Sequence, residues 1–580
     1  MEALRSEQAD GMQIDWDAPI LMQDGEVLRA DVFRPIAPGQ YPVIISYGPY
    51  AKWLPFTHIR GEQWKDLCEQ HPEVPAGSSN KYQNWEVVDP EKWVPDGYVC
   101  VRVDSRGAGR SPGVMDCWSL KEAQDFAECI EWAGTQPWSN GKVGLNGISY
   151  FAMNQWQVAP LQPRHLAAIC VWEGSADLYR DMGYHGGVPS GFLNTWRNTV
   201  LPYQNGLGTN GIHSTMTNDW VSGPETLAPE QLKANVVDIA QDTFDNSFAT
   251  DAYWQKRAPD WSKVTVPLLS AGNWGGQGLH LRGNVEGYLN AHSKEKWLEM
   301  HGLEHWTHFY TNYGLDLQKK FFGHFLKGED TGWSQQPPIS LNIRHPGERF
   351  VPRAEKEWPL ARTQWTKYYL DLEYQSLSTT APGKPGTVSY GGMSDGVTFM
   401  TEPLQQATEI TGPIAAKLWV SSATANADLF LVVRLFAPDM TEVTFSGALD
   451  PHTPIAQGWL RASRRKLDTA RSKPYRPYHT HDEDQPLTPG EIYELDIEIL
   501  PTCIVAPKGF RIALAVRGKD YECQGTVTYG AAVNRRGFSG VGPFVHKDPR
   551  KRPEAVFGGE VTLHADAQRQ PYVMLPIIPS

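Results

Sequence analysis

The sequence has few cysteines and no long apolar run. Its seven cysteines among 580 residues are odd in number and lack close C-x-x-C spacing, which is typical of reduced thiols in a cytoplasmic protein. No uncharged apolar stretch is long enough to cross a bilayer, and residues 1–10 lack the apolar segment of a secretion signal. We therefore expect neither a membrane partner nor secretion.

Basic residues are also scarce relative to acidic ones. The chain has 53 Lys and Arg against 66 Asp and Glu, a net charge of −13. This balance argues against nucleic acid or an anionic membrane as a partner. Aromatic residues are abundant, with 22 Trp and 23 Tyr, and indicate aromatic-lined clefts or surfaces. The length is too great for one hydrophobic core and predicts two or three domains.

One stretch has the pattern of a nucleophile elbow. An apolar run at 143–145 leads into Gly147, Ser149 and Tyr150, and a helix is predicted at 153–159. A strand, a sharp turn carrying serine and a helix form the context in which G-x-S exposes a nucleophile. Gly147 provides steric room in the turn, and the backbone N–H of Tyr150 would point toward a developing oxyanion. Ser149 is therefore the predicted nucleophile.

Strands alternate with helices on both sides of this elbow. Nearly continuous apolar runs predict buried strands, and helical spacing of apolar residues predicts a helix at 122–133. The alternation predicts an α/β core with a doubly wound parallel sheet, whose site lies at the carboxyl ends of the strands. The predicted core strands lie within 24–35, 41–47, 97–103, 143–145, 166–172, 266–271 and 296–300.

The pattern changes twice along the chain. Residues 178–260 are rich in Gly, Asn, Thr, Trp and Tyr, with a helical stretch near 229–244, and are interpreted as an insertion above the nucleophile. From 335 onward, short alternating runs without long helices predict a β-sandwich. Its predicted strands lie at 338–344, 366–371, 414–420, 429–435, 492–500 and 510–516. The predicted domains are 1–177 and 261–334 for the two parts of the core, 178–260 for a helical cap and 335–580 for the β domain.

Several linked motifs occur in a characteristic order. They are Asp24-Gly with Arg34-Pro, Pro49-Tyr50, Asp104-x-Arg-Gly with Ser111-x-Gly113, Trp138-x-Asn-Gly-Lys-Val-Gly and Gly147-x-Ser-Tyr. Together they resemble the cocaine esterase/NonD hydrolases, a group that includes Xaa-Pro dipeptidyl-peptidases (peptidase family S15) and α-amino acid ester hydrolases. The resemblance runs from about residue 15 to the C-terminus. It implies an α/β-hydrolase core with a helical cap, followed by a β jelly-roll domain.

The resemblance also implies site residues. Ungapped comparison with the family's Gly-Pro-Trp-x-His loop places the catalytic histidine on His305. In cocaine esterase-like enzymes the tyrosine of a Pro-Tyr pair supplies an oxyanion-binding hydroxyl, which implies this role for Tyr50; a packing aromatic is the alternative. Two departures stand out. Ala152 replaces the usual glycine three residues after the serine, and Gly275-Gly276 replace the usual catalytic aspartate.

A serine hydrolase needs an acid that orients its histidine. Glu173 follows the strand after the elbow helix, next to the nucleophile strand in such folds, and is the predicted replacement. The alternative is a structural carboxylate that binds a cap group or an arginine. Relatives carry the equivalent of Asp177 whether or not they have the usual acid, so Asp177 ranks second. Glu304 precedes His305 directly, but neighbours on a loop rarely face each other.

The predicted function is a serine esterase or amidase that cleaves a small-molecule ester or amide through an acyl-enzyme, without a cofactor. Histidines at 301, 305 and 308 also suggest a metal site, but Gly302 interrupts the segment and no metal is expected. Two alternatives stay open. An Xaa-Pro dipeptidyl-peptidase or α-amino acid ester hydrolase would bind an ammonium group with carboxylates, and cap residues such as Asp181 are candidates. An acyltransferase, a cyclase or a non-hydrolytic pocket protein would use the same fold, and a homodimer is left open.

Overall fold

The computed structural model describes residues 5–523 and 540–579. The strands of the first part of the chain, up to residue 355, fall into a large sheet and a small hairpin. They are β1 (Arg5–Ala9), β2 (Met12–Leu21), β3 (Val27–Pro35), β4 (Tyr41–Gly48), β5 (Val99–Asp104), β6 (Ser139–Ile148), β7 (Leu166–Trp172), β8 (Tyr184–His185), β9 (Val188–Pro189), β10 (Leu268–Asn273), β11 (Lys296–His301), β12 (Ile339–His345) and β13 (Arg349–Glu355).

The large sheet has the order β1-β2-β3-β5-β4-β6-β7-β10-β11-β12-β13, while β8 and β9 pair only with each other. Its centre, from β5 to β12, is parallel, as the alternation of strands and helices predicts. Both edges are antiparallel, so the prediction of a parallel sheet holds for the centre and is wrong at the edges. Short connections, such as the one between β12 and β13, cannot make the crossover that a parallel pair needs.

The helices lie between the strands of this sheet, in the insertion after β7 and, in one case, near the C-terminus. They are α1 (Phe56–Ile59), α2 (Gly61–Gln70), α3 (Pro90–Trp93), α4 (Leu120–Gly134), α5 (Tyr150–Val158), α6 (Phe192–Val200), α7 (Pro229–Ala234), α8 (Ile239–Asp245), α9 (Ala252–Gln255), α10 (Leu281–Asn290), α11 (Thr307–Tyr310), α12 (Asn312–Phe322) and α13 (Glu554–Phe557). Within the described ranges, no helix combines the length and apolar character that a membrane span requires.

The insertion differs in detail from its prediction. The helical stretch predicted near 229–244 is two helices, α7 and α8, separated at residues 235–238. Asp238 ends the break, because its side chain accepts a hydrogen bond from the Gln241 N–H and so caps α8. A capping residue inside an apolar periodic pattern thus marks a new helix start.

The remaining strands form the second large sheet. They are β14 (Gln364–Asp371), β15 (Ser376–Ser378), β16 (Gly386–Gly391), β17 (Val397–Thr401), β18 (Thr408–Ser422), β19 (Asp428–Phe436), β20 (Ala456–Arg461), β21 (Tyr493–Ala506), β22 (Arg511–Arg517), β23 (Glu560–Ala565) and β24 (Tyr572–Ile578). Their order is β16-β23-β18-β21-β20-β19-β22-β17-β15-β14-β24, and β24 pairs again with β18, which closes the sheet.

One strand predicted for this β domain belongs to the other sheet. The segment predicted at 338–344 does form a strand, β12, but it lies parallel to β11 in the α/β core, with Leu298 opposite Ile339. Alternating apolar residues indicate a strand with one buried face and do not specify which sheet receives it. The α/β core therefore extends further along the chain than the composition change at 335 indicates.

Candidate active site

The serine turn between β6 and α5 has the backbone geometry of a nucleophile elbow. Ser149 has φ 58° and ψ −112°, a conformation that costs a non-glycine residue about 1–3 kcal/mol. Gly147 makes the turn sterically feasible, since a Cβ there would lie 2.4 Å from the Cβ of Phe151. Strain of this kind persists only where the surroundings impose it, and it sets the Ser149 hydroxyl at the carboxyl edge of the sheet.

Hydrogen bonds to the next strand hold the elbow in place. The Ser149 N–H lies 3.2 Å from the carbonyl oxygen of Trp172 and 3.1 Å from that of Glu173, and donates to both. Glu173 itself has a positive φ of 51°, and its N–H donates to the carbonyl of Ala271 on β10. The residue proposed from sequence as the acid is thus fixed by its backbone to the nucleophile turn.

The carboxylate of Glu173 is buried and binds two histidines. Its Oε2 lies 2.8 Å from Nδ1 of His305, and its Oε1 lies 3.1 Å from Nε2 of His301. Asn273, at the end of β10, donates an amide N–H to the same Oε1 at 3.2 Å. Nδ1 of His301 in turn lies 2.7 Å from a carboxylate oxygen of Glu299. The structure therefore brings Glu173 and His305 together, within a larger buried cluster that motif comparison does not indicate.

Burial and pairing oppose each other in setting the charges of this cluster. Burial alone would raise the pKa of Glu173, but the neighbouring His305 and His301 lower that pKa to about 2. Burial likewise disfavours charged imidazoles, but Glu173, together with Glu86, raises the pKa of His305 to about 10. Glu299 and Glu173 raise the pKa of His301 to about 9. Glu173 is thus an ionised acid that stabilises imidazolium.

The Ser149 hydroxyl contacts a histidine that sequence reasoning missed. Its Oγ lies 3.1 Å from Nε2 of His280, the residue just before α10. The rings of His280 and His305 are stacked, with centroids 5.3 Å apart and planes 16° from parallel. Among the described residues, His305 makes no hydrogen bond with Ser149, so the predicted pair are neighbours across His280 rather than direct partners. The signal in the sequence was a histidine four residues after Asn-Trp-Gly-Gly.

Glu86 is a second residue that sequence reasoning missed. Its Oε1 lies 2.9 Å from Nε2 of His305, and its carbonyl accepts the N–H of Ile148 at the elbow. Its backbone φ is 64°, and its Oε2 is buried without a hydrogen-bond partner in the described structure. Burial raises the pKa of the Glu86 carboxyl, although His305 opposes this rise. The loop before α3 carries no motif that points to this residue.

Tyr50 lies next to the elbow helix. Its ring packs edge-on against Tyr150 and Phe151, with centroid distances of 6.0 and 5.7 Å. Its hydroxyl oxygen accepts the indole N–H of Trp196 on α6 at 3.0 Å, which leaves the hydroxyl proton available to a ligand. Burial and the charge of Glu86 raise the pKa of the Tyr50 phenol well above its ordinary value, so it stays a donor.

The backbone N–H of Tyr150 is the second predicted oxyanion donor. Tyr150 is the first residue of α5, where a helix leaves its N–H groups without a partner inside the helix. The Tyr150 side chain has a structural role, since its hydroxyl donates to a carboxylate oxygen of Glu122 at 2.5 Å. Trp118 donates its backbone N–H to the same hydroxyl at 3.3 Å, which fixes the start of the helix.

The loop after β10 excludes an acid at the first of the two glycines that replace the usual aspartate. A Cβ on Gly275 would lie 2.3 Å from the Cα of Gly447 in the β domain, so no side chain fits there. The other acids weighed from sequence have different partners. Asp177 binds Arg180 at 2.7 Å, and Glu304 accepts the hydroxyl of Thr307 at 3.0 Å. Asp181, in the insertion after β7, is buried and binds Arg282 at 3.1 Å.

Two further observations bear on the chemistry of the site. A narrow cleft of about 20 Å³ lies beside Tyr50, with apolar walls such as Leu54 and Phe151 and charged walls such as Lys52 and Asp104. Across residues 5–523 and 540–579, no group of three or more histidine, cysteine or acidic side chains is arranged to hold a metal ion. His308, the third histidine of its segment, packs edge-on against His301 and Tyr313.

Known proteins resemble this chain over nearly its whole length. A family model for X-Pro dipeptidyl-peptidase (S15 family) matches residues 24–310, and a model for the X-Pro dipeptidyl-peptidase C-terminal non-catalytic domain matches residues 331–556. Cocaine esterase of Rhodococcus sp. is 26% identical over 86% of this chain and 90% of its own length. A CocE/NonD family hydrolase from Staphylococcus aureus has a TM-score of 0.83 and 29% identity over 98% of this chain and 94% of its own.

A more distant structure shares the fold. An α-amino acid ester hydrolase covers 98% of this chain and 98% of its own, with a TM-score of 0.65 and 14% identity. At this identity the likeness concerns the arrangement of the α/β core and the C-terminal β domain, and not the chemistry of the site.

Proposed function

Because the chain belongs to the X-Pro dipeptidyl-peptidase (S15) family of serine hydrolases, we propose that it cleaves a carboxylic ester or amide of a small molecule through an acyl-enzyme on Ser149. The observation that carries this assignment is the strained serine turn beside a buried, carboxylate-bound histidine. Strain at Ser149 is retained where it exposes a nucleophile, and a histidine paired with Glu173 can hold the proton that the serine gives up.

His305 acts as the general base and then as the general acid. Its Nδ1 faces the carboxylate of Glu173, which stabilises the imidazolium that forms when the serine proton arrives. The hydroxyl oxygen attacks the carbonyl carbon, the leaving group departs with a proton from His305, and water then releases the acyl group by the reverse sequence.

His305 must exchange one partner before it can take that proton. Its Nε2 now faces Glu86, and the serine hydroxyl needs this nitrogen as an acceptor. Catalytic hydrogen bonds are often displaced in unliganded sites and tighten when substrate binds. We assign Glu86 to the resting enzyme, in which it holds the ring beside His280 until substrate enters.

Two donors would bind the oxyanion of the tetrahedral intermediate. They are the hydroxyl of Tyr50 and the N–H of Tyr150. Tyr50 packs against Tyr150, whose N–H directly follows Ser149 at the start of α5. Donors fixed in a buried site need little reorganisation when the charge appears, so each contributes strongly to the rate. The rings of Tyr150 and Phe151, which pack against Tyr50, support an aromatic-lined acyl site.

Covalent labelling tests the nucleophile directly. Ser149→Ala should abolish labelling by a fluorophosphonate and lower nitrophenyl acetate turnover by about 10⁴-fold or more. Ser389→Ala, at an exposed serine of β16, is the matched control and should label like the parent protein. Full labelling of Ser149→Ala would remove this residue from the mechanism.

A second substrate class is favoured by Glu86. A buried carboxylate oxygen without a partner is unfavourable, and the ammonium group of an α-amino acyl substrate would satisfy it. The same contact would draw Glu86 away from Nε2 of His305 and free that nitrogen for Ser149. The position of Glu86 therefore supports an α-amino acid ester hydrolase or Xaa-Pro dipeptidyl-peptidase as the alternative activity. The site that binds the substrate's ammonium group would then lie at Glu86 and not in the cap.

Matched substrates separate the two activities. Ala-Pro-nitroanilide and an alanine nitrophenyl ester would be compared with their N-acetylated forms and with nitrophenyl butyrate. A free-amine preference that Glu86→Gln abolishes supports the second class. Equal or better hydrolysis of the blocked substrates supports the simple esterase.

Three finer assignments belong to the same proposal. The closed sheet of the C-terminal domain is a jelly roll, residues 178–260 are a cap that shapes the acyl site, and the protein acts in the cytoplasm. Trp196, which reaches Tyr50 from the cap, supports the second assignment. The seven free cysteines support the third. If the cap shapes the acyl site, Trp196→Ala should reduce the discrimination between fluorophosphonate labels of different size. Fractionation of native cells would test the location.

A further inference from the structure

His280 contacts the nucleophile but has no part in the mechanism above. Its Nε2 lies 3.1 Å from the Ser149 hydroxyl oxygen, and its side chain is fully buried. Its backbone N–H donates to the carbonyl of Gly276, which fixes the residue at the start of α10. A fixed ring nitrogen at this distance interacts electrostatically with any charge that develops on the serine oxygen.

The other ring nitrogen of His280 determines the tautomer. Nδ1 lies 3.0 Å from the backbone nitrogen of Ser175, whose N–H points at it. The Ser175 hydroxyl lies at the same distance and can turn between Nδ1 and the carbonyl of Leu279, but a backbone N–H cannot be reversed. Nδ1 is therefore an acceptor, and the proton of the neutral ring lies on Nε2.

This tautomer excludes the role of general base. An Nε2 that carries a proton has no lone pair for the serine proton, and protonation of Nδ1 would set two N–H groups against each other. Burial and the nearby charge of His305 also hold the pKa of His280 well below its usual range. His305 differs on each count, because a carboxylate and not a backbone N–H faces its Nδ1.

We propose that His280 is a catalytic residue that serves as a neutral hydrogen-bond donor to Ser149. The inference rests on the proposed function, in which Ser149 is the nucleophile. As the serine O–H proton passes to Nε2 of His305, Oγ bonds to the carbonyl carbon and the carbonyl π electrons move to the oxygen held by Tyr50. The Nε2–H of His280 stabilises the negative charge on Oγ during this attack, and again when the acyl–Oγ bond breaks. His280 keeps its proton throughout.

Replacing the donor tests the inference. His280→Leu removes the N–H and should lower kcat for nitrophenyl acetate about 10²-fold with little change in KM, as loss of one fixed donor does. His280→Gln offers an amide N–H and should recover part of the loss. Because His305 remains the titrating base, the acid limb of the kcat/KM pH profile should stay in place in both variants.

A third variant guards against misfolding. Nε2-methylhistidine at position 280 keeps the ring and the Nδ1 acceptor but removes the donor, so it should lose activity as His280→Leu does. Imidazole ¹⁵N spectra of the parent protein should show the neutral Nε2–H tautomer at His280 from about pH 6 to about pH 9. An Nδ1–H tautomer there, or activity of the methylated enzyme within twofold of the parent, would overturn the inference.

Failure of the wider proposal would look different. If Ser149→Ala still labels and turns over substrate, the nucleophile assignment fails whatever His280 does. If His280→Leu is as inactive as Ser149→Ala and His305→Gln retains activity, Ser149 stands as nucleophile but His280 is the base, and the donor role is wrong.

Discussion

The nucleophile turn and the histidine–carboxylate cluster are built in opposite ways. Gly147, Ser149 and Tyr150 lie within four consecutive residues, and a local strand–turn–helix geometry defines their arrangement. The cluster instead combines residues from four separate segments at one edge of the sheet: Glu86, Glu173, His280, and His301 with His305 at and just after the end of β11. A local unit can be recognised from its motif, whereas a dispersed one depends on strand order. The two should also differ in how they respond to mutation.

The largest effect within the cluster is expected at its central carboxylate. Glu173→Gln should lower kcat about 10³–10⁴-fold with little change in KM, because the carboxylate stabilises a charge that appears in the transition state. Steady-state kinetics with nitrophenyl acetate would measure it. Asp177→Asn is the matched control, since Asp177 binds Arg180 and should leave kcat within a few-fold.

A fall of less than about tenfold for Glu173→Gln would make Glu173 structural. Gly276→Asp in the Glu173→Gln background returns an acid to the family's usual loop. A Cβ at 276 would lie 3.2 Å from the carbonyl of Asn273 and 3.3 Å from the N–H nitrogen of Leu281, so we expect little recovery.

The next largest effect concerns the oxyanion donor beside the turn. Tyr50→Phe should lower kcat about 10²–10³-fold, as the loss of one oxyanion donor does, without loss of covalent labelling stoichiometry. Trp196→Phe removes the indole N–H that Tyr50 accepts together with part of the ring, but leaves the Tyr50 hydroxyl in place, and should have a smaller effect. Tyr50→Phe with parental kcat would mean that this tyrosine only packs against Tyr150 and Phe151.

A smaller effect on rate, but a distinct effect on pH dependence, is expected at Glu86. Its carboxylate helps to raise the pKa of His305, so Glu86→Gln lowers that pKa and makes the base available at lower pH. The acid limb of kcat/KM for an uncharged ester should move about one unit toward acid. If the acid limb of kcat/KM does not move, His305 has already lost its contact with Glu86 at the stage where His305 titrates.

The smallest effect on rate and a clear effect on stability are expected at His301. His301→Gln leaves the buried Glu299 without a charged partner and should lower the free energy of unfolding by about 3 kcal/mol, with kcat reduced less than about tenfold. The raised pKa of His301 gives a stabilisation that is complete below its ordinary value and is lost as pH rises through about 9. Urea unfolding near pH 7 and near pH 10 would show this loss in the parent and not in the variant. Equal pH dependence of both proteins would contradict the prediction.

Strand positions in the core were predictable because each strand buries a continuous apolar run. Residues 41–47 and 166–172 illustrate this, as they form β4 and β7 within a residue. The strand near 339 was assigned to the wrong sheet, since pairing partners are chosen by tertiary packing and not by alternation. The break at Asp238 lay in the sequence as a capping residue, but the periodic pattern on both sides concealed it.

The sequence by itself determined the strained serine turn, because the constraints that shape it act between residues a few positions apart. Gly147 must lack a side chain, and Ser149 must stand between a strand and a helix start. Only the tertiary structure decided that Glu86 and His280 lie beside Glu173 and His305. The loops that follow parallel strands meet at one edge of the sheet, and the order of the strands in the sheet differs from their order in the chain. The tautomer of His280 was also decided there, because a single backbone N–H from a neighbouring loop fixes which nitrogen carries the proton.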